Sequence, residues 1–462
     1  MPETGQHQRH TRAPVRIDIL RRMIRTGAHN RAQKLIERMP PADIAELLPN
    51  LSGGEQKTLV NLLFNSARAG KVLAELPVEF LPEVLPMVED RQMATIVGRV
   101  PPDDGAYFVE MLPEERRLPV LRLLEPTVRI HIERILGSPE ESAGALMTTR
   151  IATLHESATC EEGVAHLRKI GETVEEIFYL YAVDEENHLK GVVPIRKLLL
   201  APGEKLIRDV MITDPVSIRE DADQEVAADL VEKYNLMALP VVDETGKLLG
   251  TITVDDVLEV IQEEATEDMY RMVGLDEEDR VFSPMMLSLQ RRLPWMVLNL
   301  ATAFLAASVV GAFENTIRSV VVLAAFLPVV AGMGGNVGTQ TLTVVTRGIA
   351  LGELSLSSVM AVMGKQIGIG LCIGASVGLL AAGAGYLWQG NAYLGAVLFL
   401  AMCVNLALAG LAGASVPLLL HRFRLDPAMG SGVIVTTVTD VGGFFAFLGL
   451  ATLFLDKLQM AH

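Results

Sequence analysis

The sequence predicts a multidomain membrane protein with an N-terminal α-solenoid, a duplicated α/β module, an acidic connecting helix and a five-helix transmembrane domain. Apolar residues make up 50% of the 462 positions, yet runs long enough to cross a bilayer begin only near Pro294. Before that point a strand, turn, strand and helix pattern occurs twice. It follows a region of short helices that start at proline.

Residues 1–29 are expected to form a polar N-terminal tail, because MPETGQHQRHTRAPVR contains no apolar segment of the kind a signal peptide requires. In residues 30–136, proline followed by acidic residues recurs, as in MPPADIAELLPNL from Met39 and VPPDDGAYFVEML from Val100. Such short helices bury their apolar faces by stacking on neighbours, which indicates a small α-solenoid. This large first part is expected to stay in the cytoplasm.

The duplicated module covers residues 137–262. In each copy an aspartate precedes a glycine by seven residues, Asp184 before Gly191 and Asp243 before Gly250, and apolar β-rich runs flank both pairs. The pattern resembles a tandem pair of CBS domains. That resemblance implies a regulatory module that dimerises and binds adenine nucleotides, so ATP at the CBS pair is a candidate ligand.

Residues 263–290 predict an acidic connecting helix. Eleven acids lie between Asp255 and Asp279, where Arg271 is the one base. Clustered carboxylates repel one another unless a divalent cation bridges them, so a cation bound here would change how the domains pack. A solvated acidic helix is the alternative.

The transmembrane domain is assigned to residues 291–462, with five spans at Trp295 to Phe313, Ser319 to Thr346, Gln366 to Leu387, Tyr393 to Leu420 and Gly430 to Leu455. If the acidic first part is cytoplasmic, basic residues collect at the inside ends of the spans, which places the C-terminus outside. The inside residues are Arg291, Arg292, Arg347, Lys365, Arg422 and Arg424, and the outside ones are Arg318 and Lys457.

Asp440 is the one acid inside the last span, in the run SGVIVTTVTDVGG from Ser431. A carboxylate at this depth costs roughly 2.5 to 3.5 kcal/mol on insertion scales, so it usually lines a wet path or holds a cation. Thr436 shares its helix face. A second copy of the chain would bring a second Asp440 to the same axis, and Mg²⁺ is typically held by one or two carboxylates while it keeps several waters. A hydrogen bond between helices is the structural alternative.

The stretch PVVAGMGGNVGTQ from Pro328 to Gln340 interrupts the second span with four glycines, an asparagine and a glutamine. Irregular backbone at membrane depth is tolerated where it is buried in protein or lines a wet cavity. The stretch is therefore expected to line or support a pore, with kinked packing as the alternative. Glycines in the third and fourth spans predict close helix packing.

Charge and cysteine content narrow the classes of partner. The formal net charge is −16, and the region from Trp295 onward holds five acids and six bases, so the acidity belongs to the first 294 residues. This disfavours nucleic acid and favours cations. Three separated cysteines, Cys160, Cys372 and Cys403, predict neither a disulfide framework nor a metal site.

Together these segments resemble the MgtE family of bacterial magnesium channels. The motifs that carry the resemblance are AGALM from Ala143, PVVD from Pro240, EATED from Glu264, GNVGTQ from Gly335, LDPA from Leu425 and TTVTD from Thr436.

The resemblance implies a homodimer in the bacterial inner membrane that takes up magnesium and is not an enzyme. Asp440 of both chains would bind hydrated Mg²⁺, and cytosolic Mg²⁺ would close the pore by clamping the soluble domains to the connecting, or plug, helix. The implied regulatory ligands are Asp103, Asp223, Glu225, Glu232, Asp256, Glu259, Glu264, Glu267, Asp268 and, at the cytosolic mouth, Asp426. Tyr107, Asn235 and Gln366 stand where family acids are expected, so the number and affinity of these sites stay open.

Four other functions are alternatives to this one. A less selective divalent channel or exchanger for Mn²⁺, Co²⁺ or Zn²⁺ would be expected to recruit histidine or cysteine, and no histidine lies inside a span. A CBS-regulated chloride transporter would place positive groups at its narrowest point. An intramembrane metalloprotease requires an H-E-x-x-H pair, which the nine histidines do not form. A Mg²⁺ sensor without transport also remains.

Overall fold

The computed structural model describes residues 12–64, 66, 68–77, 80–171, 177–276, 279, 281, 283–354, 358–423 and 425–459. The chain divides into two compact units, with the boundary between Glu263 and Glu264. The first unit contains a helical domain and the duplicated α/β module. The second contains the end of the connecting helix and the long apolar helices.

In the first part of the chain, the described residues form ten short α-helices with one shared apolar core. They are α1 Arg12–Arg25, α2 His29–Ile36, α3 Pro41–Leu47, α4 Gly53–Phe64, α5 Ala69–Ala74, α6 Leu81–Val84, α7 Asp90–Val97, α8 Pro102–Glu110, α9 Glu114–Leu123 and α10 Pro126–Leu136. Proline is the first residue of α3, α8 and α10, where its missing N–H costs nothing. The prediction of short helices that begin at proline is confirmed.

The predicted N-terminal tail, 1–29, is wrong for its second half. Helix α1 occupies part of it, and Leu20 and Ile24 are buried in the helical core. Their spacing of four places both on one helix face. The arginines around Leu20 and Ile24 make the segment look polar in the sequence, so this apolar face is not evident there. Residues 1–11 lie outside the described residues.

The α/β module contains two small sheets. Its elements are α11 Ala143–Leu146, β1 Thr153–His155, α12 Cys160–Ile170, β2 Tyr179–Val183, β3 Leu189–Pro194, α13 Ile195–Leu200, α14 Ile207–Val210, β4 Ile212–Thr213, β5 Ile218–Arg219, α15 Gln224–Tyr234, β6 Ala238–Val242 and β7 Leu248–Thr253. The strand orders are β1-β2-β3-β4 and β5-β6-β7. Each sheet joins a parallel pair to an antiparallel hairpin.

The aspartate-to-glycine spacing reflects the same local structure in both copies. Asp184 and Asp243 each accept two backbone N–H bonds across the hairpin turn, at 2.8 to 3.0 Å. Gly191 and Gly250 then allow another segment to approach: a Cβ would lie 2.7 Å from the Ile212 carbonyl oxygen in one copy and 2.6 Å from that of Thr148 in the other. The predicted duplication is confirmed.

The connecting region is not one helix over 263–290. Helix α16, Val254–Met272, follows β7 directly and ends shortly before Gly274, which has a φ of 71°, a conformation that glycine adopts readily. The next helix begins at Met285, after Pro284. Two acids of the run, Glu277 and Glu278, lie outside the described residues.

Among its described residues, the second unit has seven further helices: α17 Met285–Ala312, α18 Glu314–Ser319, α19 Leu323–Ala350, α20 Val359–Gln389, α21 Ala392–Arg422, α22 Ser431–Leu453 and α23 Leu455–Gln459. Four of them, α17, α20, α21 and α22, are long and apolar enough to cross a membrane. Helix α19 is as long as α17 but is not among these four, so the fifth span stays a prediction.

The glycine-rich stretch from Pro328 to Gln340 is helical throughout and lies inside α19. The expectation of irregular backbone here is therefore wrong. A continuous helix satisfies its own backbone N–H and C=O groups, which hydrocarbon cannot do. The predicted close packing of the third and fourth spans is confirmed: a Cβ on Gly370 or Gly374 would lie 2.2 Å or 2.8 Å from backbone atoms of α21.

Candidate functional site

Asp440 lies near the middle of α22 and is half-buried. No ion pair or hydrogen bond joins it to another described residue. The hydroxyls of Thr436 and Thr437 donate to backbone carbonyls one turn earlier, at 2.9 and 2.6 Å, so they satisfy their own helix. Asp440 is left as the charged group of α22, with its carboxylate available to a cation.

Helix α19 packs along the face of α22 that leads to Asp440. A Cβ on Gly338 would lie 2.6 Å from Val435 Cγ1, and one on Gly335 would lie 3.9 Å from Thr436 Cγ2. Because Thr436 is one turn from Asp440, the GNVGTQ segment lies beside the approach to the carboxylate. The helix that carries Asn336 and Gln340 therefore packs against the helix that carries Asp440.

Asp426, in the turn between α21 and α22, is held by two interactions. Its Oδ1 accepts the N–H of Ala428 at 2.7 Å, and its Oδ2 lies 3.0 Å from Arg271 Nη1. Arg271 also pairs with Glu267, one turn earlier on α16. Two predicted cation ligands therefore share one arginine in this structure.

Asp268 lies close to this cluster. Burial raises the pKa of its carboxyl, the charge of Asp426 raises it further, and Arg347 opposes the shift. A raised pKa means that the site disfavours another negative charge. The group formed by Glu267, Asp268, Arg271 and Asp426 is called the mouth cluster below.

Asp103 and Asp256 form the second acidic pair, within the first unit. Burial, followed by the charges of Asp256 and Asp104, raises the pKa of Asp103 to about 8. Asp103 Oδ1 is enclosed and has no hydrogen-bond partner among the described residues. Burial likewise raises the pKa of Asp256 to about 6, although its Oδ2 accepts bonds from Thr253. An orphaned oxygen beside a second carboxylate fits a divalent cation, which would replace the proton.

Glu75 is an acidic residue close to Glu259 that the sequence alone does not point to. Burial raises the pKa of Glu259, and the charges of Glu263, Asp255 and Glu75 add to the shift. Glu75 follows α5 in the helical domain. Its local sequence resembles that of any surface glutamate, so only the fold reveals that it approaches α16.

The remaining predicted ligands do not form a shared site. Asp223 caps α15, where its Oδ1 accepts the N–H of Glu225 at 2.8 Å. Asp223, Glu225 and Glu232 are exposed, and Glu264 is half-buried on α16. In the part of the chain that the structure describes, no group of three or more His, Cys, Asp or Glu side chains is placed to hold a metal ion. A cation at any of these positions would need water or a second chain.

One of the three departures from the family pattern has a role that depends on its residue type. Asn235 ends α15 with a φ of 50°, a left-handed conformation that asparagine tolerates. Gln366 is buried in α20, at a point where only its backbone is in close contact: a Cβ at Gly410 would lie 2.5 Å from the Gln366 backbone carbonyl oxygen. The third, Tyr107, packs partly buried against the helical core.

Replacing Asp103 with asparagine is expected to flatten the pH dependence of stability in Mg²⁺-free buffer. The pKa of about 8 in the fold exceeds the unfolded value near 3.9. The stability that this carboxyl contributes is thus complete below about pH 4 and is lost as pH rises through about 8. Between about pH 5 and about pH 9, the Tm of Asp103→Asn should therefore fall less than the Tm of the natural chain.

The control is Glu114→Gln, which removes an exposed acid from the start of α9. Thermal unfolding of the full chain in detergent measures both profiles. Parallel profiles for Asp103→Asn and the natural chain would contradict a buried, protonated Asp103.

Three parts of the chain match family profiles. Residues 327–450 match MgtE, described as a divalent cation transporter, residues 39–141 match the MgtE intracellular N domain, and residues 207–263 match the CBS domain. The magnesium transporter MgtE of Thermus thermophilus is 34% identical over 95% of this chain and 98% of its own length. That of Bacillus subtilis is 31% identical over 94% and 96%.

Solved structures match the first unit. The soluble part of a magnesium transporter aligns with a TM-score of 0.51 at 25% identity, covering 55% of this chain and 99% of that one. The cytosolic domain of the Mg²⁺ channel MgtE, in complex with ATP, aligns with a TM-score of 0.50 at 33% identity, covering 52% and 98%. These relatives are named as transporters or channels, in agreement with the expectation that the chain is not an enzyme. The chain belongs to the MgtE family of magnesium transporters.

Proposed function

We propose that this chain is a Mg²⁺-selective channel that mediates magnesium uptake and is closed by cytosolic Mg²⁺. The observation that carries the proposal is Asp440, a half-buried carboxylate without a described protein partner, on a helix that is otherwise uncharged. An ionised group in such a helix is costly unless it serves a cation or faces water. The family membership supports magnesium as that cation.

The conducting form is proposed to be a homodimer, in which two copies of Asp440 face one axis. One carboxylate cannot enclose Mg²⁺, whereas two can hold the hydrated ion through its waters. Helix α19 would be the fifth span and line the path, because its polar segment packs beside Thr436. The basic residues at the helix ends support a cytoplasmic N-terminus and an outside C-terminus in the inner membrane, although Arg424 lies outside the described residues.

Closure is proposed to use the acidic groups as Mg²⁺ sites, with α16 as the plug helix and the first ten helices as the solenoid. Asp103 and Asp256 would hold one ion, since each has a pKa raised by burial and Asp103 has an orphaned oxygen. Asp268 and Asp426 would take another. Asp223, Glu225, Glu232, Glu259, Glu264 and Glu267 would contribute through water or the second chain.

The CBS pair is proposed to bind ATP. A narrow cleft in the α/β module is lined by Arg150, Tyr179, Tyr181 and Thr251. Tyr181 is buried and bonded to Thr251, so the partly exposed Tyr179 and Arg150 at the edge of this cleft are the side chains that would meet an adenine ring and a phosphate. The solved relative that holds ATP supports this assignment.

The second candidate function is a less selective divalent channel or exchanger that also passes Mn²⁺, Co²⁺ or Zn²⁺. Cys403 favours it, because its thiol is half-buried in α21 and thiolates prefer softer metals. Against it, α22 offers oxygen ligands on the Asp440 face, which suit magnesium.

Growth of a bacterial strain that lacks its own magnesium uptake tests the proposal. The chain should restore growth at low Mg²⁺, and added Mn²⁺ or Co²⁺ should compete weakly. Absence of rescue by a chain that is present in the membrane would contradict magnesium uptake. Strong competition would favour the second candidate.

Replacing Arg271 with glutamine is expected to let cytosolic Mg²⁺ close the channel at a lower concentration. Arg271 is a tethered cation that occupies Asp426 Oδ2 at 3.0 Å, so Mg²⁺ must compete with it in the mouth cluster. A partly exposed ion pair contributes up to about 1 kcal/mol, which corresponds to a shift of about fivefold.

Patch recordings of open probability against cytosolic Mg²⁺ measure this shift. Arg129→Gln, which breaks an exposed pair with Glu133 on α10, is the control and should leave the curve in place. A shift of Arg271→Gln toward higher Mg²⁺ would show that the pair stabilises closure instead.

A further inference from the structure

Asn405 is a polar side chain in the apolar core of the second unit. It lies in the middle of α21 and has no exposed surface. Its Nδ2 donates a hydrogen bond to the Val330 carbonyl of α19 at 2.8 Å. Its Oδ1 is enclosed and has no partner among the residues that the structure describes. An unsatisfied buried acceptor destabilises a fold, so a leucine at this position would be the more stable choice for packing alone.

The carboxamide of Asn405 lies between two glycines on different helices. A Cβ on Gly334 of α19 would lie 2.5 Å from Asn405 Nδ2, and a Cβ on Gly443 of α22 would lie 2.7 Å from Asn405 Oδ1. Neither position has room for any side chain while the asparagine is present. The planar amide therefore fills the space between two backbones and sets their separation.

These two glycines flank the candidate conduction path. Gly334 directly precedes the GNVGTQ segment, and Gly443 follows Asp440 by about one turn. Nearby, α19 and α22 touch directly, since a Cβ on Gly338 would lie 2.6 Å from Val435. The carboxamide thus lies at the level of Asp440, on the side where α21 supports both helices.

We propose that Asn405 is a positioning residue for cation conduction: its carboxamide holds α19 and α22 at the spacing that the Asp440 site requires. The inference rests on the proposed function, because the property that it sets is the geometry of the conducting face. The hydrogen bond to Val330 fixes the orientation of the amide. Because Gly334 and Gly443 have no side chains, both backbones touch the amide, and the width of the amide sets the distance between them.

The first test is Asn405→Ala, assayed as Mg²⁺ flux per folded dimer in liposomes. Removal of the spacer lets the helices shift, and a displacement near 1 Å at a positioned site can cost up to about a hundredfold, so we expect a loss of at least about tenfold. Asn391→Ala is the matched control: Asn391 is a buried asparagine of the same helix that caps its start and donates to the Leu458 carbonyl. It should lower Tm while flux per folded dimer stays within about twofold.

The second test uses a compensating pair. Gly443→Ala alone should also reduce flux, because its methyl group would overlap the Asn405 carboxamide. In the double variant Asn405→Ala, Gly443→Ala the new methyl group occupies part of the vacated space, so flux should recover above that of either single variant. A residue that only stabilised the fold would change Tm without this recovery.

The inference is overturned if Asn405→Ala conducts like the natural chain per folded dimer. It is also overturned if the double variant is no better than the two single variants. In both cases the natural chain conducts, so the proposed function survives. If the natural chain itself carries no Mg²⁺, the proposed function and the role of Asn405 fail together.

Discussion

Asp440→Ala is expected to reduce Mg²⁺ flux to the level of empty membranes while the chain remains folded and dimeric. Asp440 is half-buried on α22 and has no described ion-pair or hydrogen-bond partner, so its loss leaves no other group unpaired. Removing a charge from a membrane helix even lowers the cost of insertion, by roughly 2.5 to 3.5 kcal/mol. The loss of flux would then come from the missing cation ligand.

The matched control is Asp456→Asn, which removes an exposed acid from α23, after the last span. It should conduct normally. Asp440→Glu should retain part of the flux because it keeps the carboxylate. Currents of natural size from Asp440→Ala, measured by patch recording with equal amounts of protein in the membrane, would refute the pore assignment.

Neutralising Asp256, Glu259 and Asp268 together is expected to keep the channel open at cytosolic Mg²⁺ concentrations that close the natural chain. Each of these carboxyls has a pKa raised by burial and by neighbouring acids, which means that their charges are held at a cost that a divalent cation relieves. With asparagine or glutamine there, the closed arrangement no longer binds the ion. Mg²⁺ then loses its preference for that state.

The control removes the same number of acids from exposed positions: Glu185→Gln, Glu186→Gln and Glu204→Gln. Closure by Mg²⁺ should then be unchanged, because this control changes the net charge by the same amount but leaves the proposed Mg²⁺ sites intact. Because a ligand stabilises the state that it binds, Mg²⁺ should also slow proteolysis of the natural soluble region but not that of the neutralised variant. Normal closure of the neutralised channel in patch recordings would remove the clamp hypothesis.

Local sequence patterns predicted the elements whose causes are local. The spacing of Asp184 and Gly191, repeated at Asp243 and Gly250, follows from a turn that caps itself and a strand that needs a bare backbone. The apolar runs likewise predicted the long helices. Asp440 stood out because one acid in such a run is unusual.

Contacts between distant segments could not be predicted in this way. Nothing near Glu75 or Arg271 in the sequence indicates that the first approaches Glu259 or that the second pairs with Asp426. The sequence gives no signal at Asn405, because the glycines that its amide contacts lie on two other helices. The glycine-rich segment of α19 was expected to be irregular because glycine is a poor helix former in water, whereas in an apolar environment the helix keeps its backbone groups bonded.

The most direct test of the central claim is Mg²⁺ entry into liposomes that contain the purified natural chain, followed with a dye inside the vesicles and with Asp440→Ala as the paired sample. The proposed function predicts rapid, saturable entry through the natural chain, weak competition by Mn²⁺ and Ca²⁺, and no entry above empty liposomes for the variant. Equal entry through both proteins, or none through either, would contradict conduction of Mg²⁺ past Asp440.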